Sequence, residues 1–271
     1  MNKKALFFDI DGTLLSEHTG KIPDSAIMAL EQAKSLGHLI FINTGRTHSG
    51  LPAVILSLPF SGLLCGCGTY VDYQGEVLLQ RSIPEDRAHE IVETIQDCRG
   101  EMILEGLHKC YVAREKTRFP QLERTRVHFS SMGDMLGYIE DGDYSFDKFV
   151  IFTDGLTDKN QMFADFDKDM EVYDRQGGFY EIVPKGYSKA TAIDFVLKHF
   201  GMDKSDAYVF GDSSNDLSMF KSVGHAIAMG EHDPILDPYT EYVTKTVEDD
   251  GLMFAMRHYG LIPEEKKASY C

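Results

Sequence analysis

The sequence predicts an α/β fold, a parallel sheet flanked by helices, with an α+β unit inserted into it. Three observations carry this. Residues 1–83 and 186–271 alternate short apolar runs with amphipathic helical stretches, the pattern of strand–helix–strand units. Several of those runs stop abruptly at acids, threonine and glycine, as buried strands do where they reach the rim of a sheet. Between residues 84 and 185 the alternation loses its regularity and several strand-like pieces read as antiparallel, so this stretch is expected to form a second unit with its own core.

The first strand is Ala5–Phe8. It ends at Asp9 and Asp11, two carboxylates one residue apart, followed at once by Gly12 and Thr13. In open α/β sheets ligands gather beyond the carboxyl ends of the strands. Two carboxylates beside an apolar core repel each other and resist dehydration unless a cation, a shared proton or donors balance them. A solvated Asp-rich turn is the plain alternative. A helix–loop–helix calcium loop is excluded, because it needs glycine at its sixth position and glutamate at its twelfth, where this chain has Leu14 and Gly20.

PDSAIMALEQAKSLG then carries Ile27, Leu30, Ala33 and Leu36 at helical spacing, with Gly37 as the stop. HLIFIN is a second strand ending at Thr44, Gly45 and Arg46, and the right-handed crossover of a parallel pair puts Thr44 on the rim beside Asp9. A helix is expected over Ser49–Leu58, a strand at GLLCG, and a hairpin turning at Gln74 and Gly75. Within 84–185 the pattern gives a helix over Glu85–Asp97, strands at EMILEG, KCYVAR, DKFVIF, MEVYDR and FYEIVP, and a helix over Lys159–Phe166.

Beyond Lys185, Ser188 is a candidate N-cap and Gly201 the C-cap of a helix whose apolar face carries Ala190, Ile193, Val196, Leu197 and Phe200. Lys189 falls in its first turn, where a cation opposes the helix dipole, so a surface lysine and a functional one both stay open. A strand over Ala207–Phe210 then runs into Gly211, Asp212, Ser213, Ser214, Asn215 and Asp216. GHAIAM and EYVT read as short strands, and GLMFAMRHYG as a closing helix.

At 271 residues and 43% hydrophobic content the chain can bury one large core or two modest ones. A net charge of −16 repels nucleic acid and anionic membranes, so an anionic substrate would need local positive charge. Cys65, Cys67, Cys98, Cys110 and Cys271, without a secretory leader, are expected to be reduced thiols in a cytoplasmic protein. The one-residue gap between Cys65 and Cys67 does not suit a structural zinc site. No apolar run approaches the roughly 20 residues that a membrane span needs.

If the strand ends share a rim, they gather Asp9, Asp11, Thr44, Asp212, Asn215 and Asp216, with Lys189 at a nearby helix start. Oxygen donors without clustered histidine or thiolate suit Mg2+ better than zinc, and magnesium pairs with phosphate oxygens. A phosphate-bearing substrate is therefore expected.

Four segments stand in order, with a long insert between the second and third: DIDGTL (Asp9–Leu14), NTGR (Asn43–Arg46), KGYSKA (Lys185–Ala190) and GDSSND (Gly211–Asp216). They resemble the motifs of the haloacid dehalogenase (HAD) superfamily, and their spacing resembles its Cof-type branch with a type IIB (C2) cap. The resemblance covers nearly the whole chain, through EYVTKTVEDDGL. It implies a Rossmann-like core from residues 1–83 and 186–271, with 84–185 as a cap that closes over the rim. It also implies a magnesium-dependent phosphatase hydrolysing sugar phosphates or similar phosphomonoesters through an aspartyl-phosphate.

Residue by residue, the resemblance implies Asp9 as nucleophile, Asp11 as general acid and base, and Lys189 as the cation that neutralises the transferring phosphoryl group. Thr44, Gly45, Lys189 and Asn215 would hold phosphate oxygens. Asp9, the carbonyl of Asp11, and Asp212 would hold magnesium, with Asn215 and Asp216 supporting ligands, waters or the lysine and Thr13 behind them. Arg46, also behind the site at the rim, is open to two readings, a contact with the lid or the substrate and a plain surface arginine. Aspartate at position 11, where ion-pumping members carry threonine, favours an alcohol leaving group. Two departures stand out: Cys67, Gly68 and Thr69 where members often have Asn-Gly-Ala, and Ser213 and Ser214 where a glycine-containing stretch is usual. The alternative readings are a phosphosugar mutase-type phosphotransferase and a catalytically retired scaffold that binds metal and a phosphorylated effector. The oligomeric state is left open.

Overall fold

The computed structural model describes residues 3–131 and 134–264, so Cys271, expected as a thiol, lies outside the described residues. The chain opens with β1 (Ala5–Phe8), α1 (Asp24–Ser35), β2 (Leu39–Asn43), a short α2 (Ala53–Leu56), and three strands, β3 (Gly62–Cys65), β4 (Tyr70–Tyr73) and β5 (Glu76–Gln80). A second group follows: α3 (Glu85–Asp97), β6 (Glu101–Glu105), β7 (Cys110–Val112), α4 (Pro120–Ser131), β8 (Leu136–Tyr138), β9 (Lys148–Phe152), α5 (Lys159–Phe166), β10 (Met170–Asp174) and β11 (Phe179–Pro184). The last group is α6 (Lys189–Phe200), β12 (Ala207–Gly211), α7 (Leu217–Phe220), β13 (His225–Ala228), β14 (Tyr242–Val243) and α8 (Gly251–His258).

These strands make two sheets. The first runs β14-β13-β12-β1-β2-β3-β4-β5, parallel from β14 to β3 and antiparallel through the β3–β4–β5 meander. The second runs β10-β11-β9-β6-β7-β8 and is antiparallel except where β7 meets β8. The architecture is α/β with a parallel-sheet core, as the alternating apolar runs predict.

Register places the rim. Phe8 sits opposite Phe210 on one side and Ile42 on the other, so the residues that follow, Asp9, Gly211 and Asn43, emerge side by side. Stacking holds that register: Phe8 on Phe210 with ring centroids 4.6 Å apart, and Phe7 on Phe41 at 5.4 Å. Each such pair adds about 0.5–1.5 kcal/mol beyond its buried area, and a one-residue slip would turn every one of these rings to the wrong face. Leu6, Phe8, Ile40, Ile42 and Phe210 pack under α1 and α8, while Phe7, Phe41 and Val209 pack under α6 and α7.

Three expectations need correction. The helix expected over Ser49–Leu58 is a 3₁₀ turn at His48–Gly50 and then α2, separated by Pro52. Proline lacks the N–H that would continue the helix and drives Leu51 into extended backbone. Helix α1 ends at Ser35, leaving Leu36 exposed; Ala26 and Ala29 join Leu30 and Ala33 on its buried face, and Ile27 is only half-buried. In α6, Ala192 takes the buried place expected of Ala190. The caps of α6 stand as expected, Ser188 accepting from the Thr191 amide and Gly201 adopting φ 63°. Gln74 and Gly75 both have positive φ, as a two-residue hairpin turn requires. Cys65, Cys67, Cys98 and Cys110 are free and buried.

Candidate active site

Asp9 leaves β1 almost completely buried, 4% exposed, and receives the Lys189 ammonium at 2.7 Å on Oδ1. The lysine, 1% exposed, reaches there from the first turn of α6 and also donates to Asp216 Oδ1 at 2.6 Å and Asn215 Oδ1 at 3.2 Å. A lysine at a helix start, open to either reading in sequence, is thus the centre of a buried cluster. Burial alone would lower its pKa, but the carboxylates of Asp216 and Asp9 outweigh that and hold it above its ordinary value.

Asp212 follows β12. Its Oδ1 accepts from the Thr13 hydroxyl at 2.7 Å. Asp216 closes the turn, its Oδ2 accepting from the amides of Asp212 at 2.9 Å and Ser213 at 3.1 Å. Gly12, at φ 77°, lets the chain pass against Asp212: a Cβ there would lie 2.3 Å from Asp212 Oδ2.

Ligand oxygens from Asp9, Asp212 and Asp216 all lie within 4.8 Å of one another. Three carboxylates against one ammonium leave two negative charges, the charge of one divalent cation. The imbalance is visible in the acids: burial pushes the Asp212 carboxyl up to about 8, with the charge of Asp9 adding to it. Hard oxygen donors carrying uncompensated negative charge fit Mg2+. Both oxygens of Asp216 are already engaged with protein donors, and the Asp9 carboxylate meets both Lys189 and the Ile10 backbone, whereas Asp212 accepts on Oδ1 from Thr13 and its Oδ2 has no hydrogen-bond donor among the described residues.

Asp11 is at the same rim but its side chain turns away from this cluster. Arg46 grips it through two bonds of 2.8 Å, from Nε and Nη2, and donates Nη1 to the Gly50 carbonyl at 3.0 Å. Thr44, 2% exposed, accepts the Arg46 amide on Oγ1 at 3.2 Å. Asn43 is fully buried and donates Nδ2 to the Lys189 carbonyl at 3.0 Å, tying the end of β2 to the start of α6. The expected residues therefore converge, divided between an acid–lysine cluster and an Asp11–Arg46 pair.

A row of charges on the second sheet covers them, and sequence reasoning did not single it out. Glu105 on β6 lies opposite Lys148 on β9, and Glu181 on β11 is diagonal to it. Lys148 is buried and contacts Glu181, Glu105 at 3.2 Å, and the carbonyl of Gly45 at 3.0 Å. Arg175 pairs with Glu181 and touches Ser214 Oγ at 3.3 Å. Burial would raise the Glu181 carboxyl, but Lys148 and Arg175 pull it down to about 2. Cys67, at φ 54°, sets its sulfur 3.6 Å from Glu181 Oε1. The signal for this row was present as charged residues inside otherwise apolar strands, Glu105 in EMILEG and Glu181 in FYEIVP. Arg114, by contrast, pairs with Asp141 on the second sheet and is not part of the row.

A model of the haloacid dehalogenase-like hydrolase family matches residues 6–256. YkrA of Bacillus subtilis (strain 168) is 26% identical over 264 residues, 97% of this chain and 100% of that protein. YcsE of the same organism, named 5-amino-6-(5-phospho-D-ribitylamino)uracil phosphatase, is 25% identical over 261 residues, 95% and 96% of the two chains. A solved structure of a HAD subclass IIB sugar phosphatase superposes with TM-score 0.77 at 26% identity, covering 96% of this chain and 100% of its own. The chain belongs to the haloacid dehalogenase-like hydrolases, as a phosphatase of their Cof-type branch.

Proposed function

We propose that this phosphatase is a magnesium-dependent, cytoplasmic enzyme that hydrolyses small phosphomonoesters, sugar phosphates or similar metabolites, through an aspartyl-phosphate. The observation that carries the reading is the buried cluster in which Lys189 bridges Asp9 and Asp216 while Asp212 stands within metal-ligand reach. The subclass IIB sugar phosphatase and YcsE, both named for small phosphoesters, support the substrate class. A net charge of −16 argues against nucleic acid as substrate. No helix among the described residues is long and apolar enough to cross a membrane.

In this reading an Asp9 carboxylate oxygen attacks phosphorus, and the P–O bond to the leaving alcohol breaks as Asp11 delivers a proton to that oxygen. Asp11 then takes a proton from water, whose oxygen attacks phosphorus and frees Asp9 and inorganic phosphate. Lys189 orients Asp9 and offsets the charge on the phosphoryl oxygens, with Thr44, the Gly45 backbone and Asn215 holding those oxygens. Magnesium, held by Asp9, the Asp11 carbonyl and Asp212, would supply neutralisation of the approaching anion. Thr13 and Asp216 fix the acids, and Arg46 fixes Asp11. Residues 84–185 act as the lid over residues 1–83 and 186–271, excluding water when the charged row seats on Gly45.

Purified protein should release phosphate from phosphomonoesters only with magnesium present, and Asp9→Asn should abolish release while leaving the far-ultraviolet circular dichroism spectrum unchanged. Release that persists in Asp9→Asn would remove the proposed nucleophile.

A further inference from the structure

The leaving group must depart on the side of its proton donor. Asp11 is held there by Arg46, and beyond Arg46 opens a cavity of about 390 Å³ between the rim and α4. Its walls include Arg46, Glu105, Cys110, Arg124, His128 and Phe129. Helix α4 leans directly on the rim here: a Cβ placed on Gly50 would lie 4.0 Å from Phe129 Cζ and 3.9 Å from Arg46 Cβ.

The charges of this cavity are unequally committed. Arg46 is spent on Asp11, and the carboxylate of Glu105 is paired with Lys148. On α4 itself, Arg126 is used structurally, pairing with Glu123 and donating to the carbonyls of Ala113, Arg114 and Glu115. Arg124 has no hydrogen-bond or ion-pair partner among the described residues. His128 stands one helical turn further on, the i,i+4 spacing that puts two side chains on one face. Its ring makes no hydrogen bond among the described residues, only a ring contact with Phe129. A guanidinium and an imidazole, both free, thus face a cavity beside the proton donor, in a protein whose overall charge is strongly negative.

We infer that this cavity is the leaving-group subsite and that it selects phosphomonoesters whose leaving group carries a second anion, a carboxylate or a second phosphate, read by Arg124 and His128. Guanidinium offers a planar fork that fits either anion, and imidazole adds one N–H donor. The inference rests on the phosphatase reading above and deepens it by assigning the substrate class.

The test compares kcat/KM within two substrate pairs that differ by one anion: glycerol 3-phosphate with 3-phosphoglycerate, and fructose 6-phosphate with fructose 1,6-bisphosphate. The first pair reports on a carboxylate and the second on a phosphate. At least one pair should favour the more anionic member by about tenfold or more, roughly the effect of one charge-assisted contact. Arg124→Ala and His128→Gln should each pull that ratio towards one, and Lys34→Ala, on the far surface of α1, should leave it where it was. Equal kcat/KM within both pairs, or a preference that survives the Arg124→Ala, His128→Gln double variant, overturns the inference alone. No hydrolysis of any ester overturns the phosphatase reading and the inference with it.

Discussion

Asp147 is the place where a neutral substitution should make the protein more stable. It precedes β9, is 1% exposed, and accepts on Oδ1 from the hydroxyl of Ser82, in the segment that leaves the first sheet for α3, at 2.7 Å. Burial pushes its carboxyl from 3.8 up to about 6, against the pull of the Ser82 bond and of His108. The folded state therefore binds this proton more tightly than the unfolded chain. Sign follows from linkage: the penalty for ionising is absent below about pH 3.8, grows as pH rises towards 6, and is constant above it. At about 1.4 kcal/mol per pKa unit it reaches about 3 kcal/mol at pH 7.

Asp147→Asn keeps an acceptor for Ser82 and removes the charge, at the expense of a buried amide N–H₂ whose desolvation offsets about 1 kcal/mol. A net gain of about 2 kcal/mol is expected at pH 7.5, shrinking to zero or a small loss at pH 4. Urea unfolding of both proteins at pH 7.5, 5.0 and 4.0 reads the difference directly. A loss of equal size at all three pH values would refute the reasoning, because it would mean that the carboxylate is held by donors rather than tolerated despite burial.

Glu181→Gln leaves Lys148 and Arg175 without their shared carboxylate and should destabilise by about 3–5 kcal/mol at neutral pH. Since Glu181 is held at about 2 against its usual 4.5, the difference from the parent should narrow as pH falls from 4.5 towards 2, as seen by chemical denaturation. Gly12→Ala drives a methyl into the Asp212 carboxylate and forces positive φ on alanine, so phosphate release should fall by about 10²-fold. Its magnesium affinity, by isothermal calorimetry, should weaken in parallel. Asn43→Leu removes both the bond to the Lys189 carbonyl and a buried Oδ1 that has no partner among the described residues. Stability should move by less than about 1 kcal/mol while kcat falls several-fold, and unchanged kcat would leave Asn43 a packing residue only.

The strands around the rim were legible because each is a short apolar run with an abrupt chemical ending. Ala5–Phe8, Leu39–Asn43 and Ala207–Gly211 need no long-range information to be recognised as strands, and the parallel crossover puts the first two on one rim, but the place of Ala207–Gly211 beside Ala5–Phe8 is a long-range fact that the structure supplies. Helix α6 was legible through its caps, Ser188 and Gly201. The failures have local causes. Proline at position 52 outweighed the helical spacing around it, and in α1 the alanines rather than the larger Ile27 and Leu36 approach the sheet, which periodicity alone cannot rank. Most of the acid–lysine cluster was visible as strand-end acids, but the burial of Lys189 was not, because the carboxylates that stabilise it come from segments separated by 180 and 27 residues. The Glu105–Lys148–Glu181 row was hidden for the same reason: its members come from three strands far apart in sequence and meet only when the sheet assembles them.

That row also sets what happens when the two sheets part. A seam sealed by greasy side chains would expose sticky surface on every opening, inviting self-association and requiring a large hydration penalty per cycle. Here the ion pairs among Lys148, Glu181, Glu105 and Arg175 all lie within the second sheet, so separation would wet pairs that stay intact while breaking the contacts of Lys148 with the Gly45 carbonyl and of Arg175 with Ser214. Because no ion pair among the described residues runs from these charges to the first sheet, salt should shift such a parting little, whereas a seam of paired ions wetted on opening presents far less sticky surface than an apolar one would.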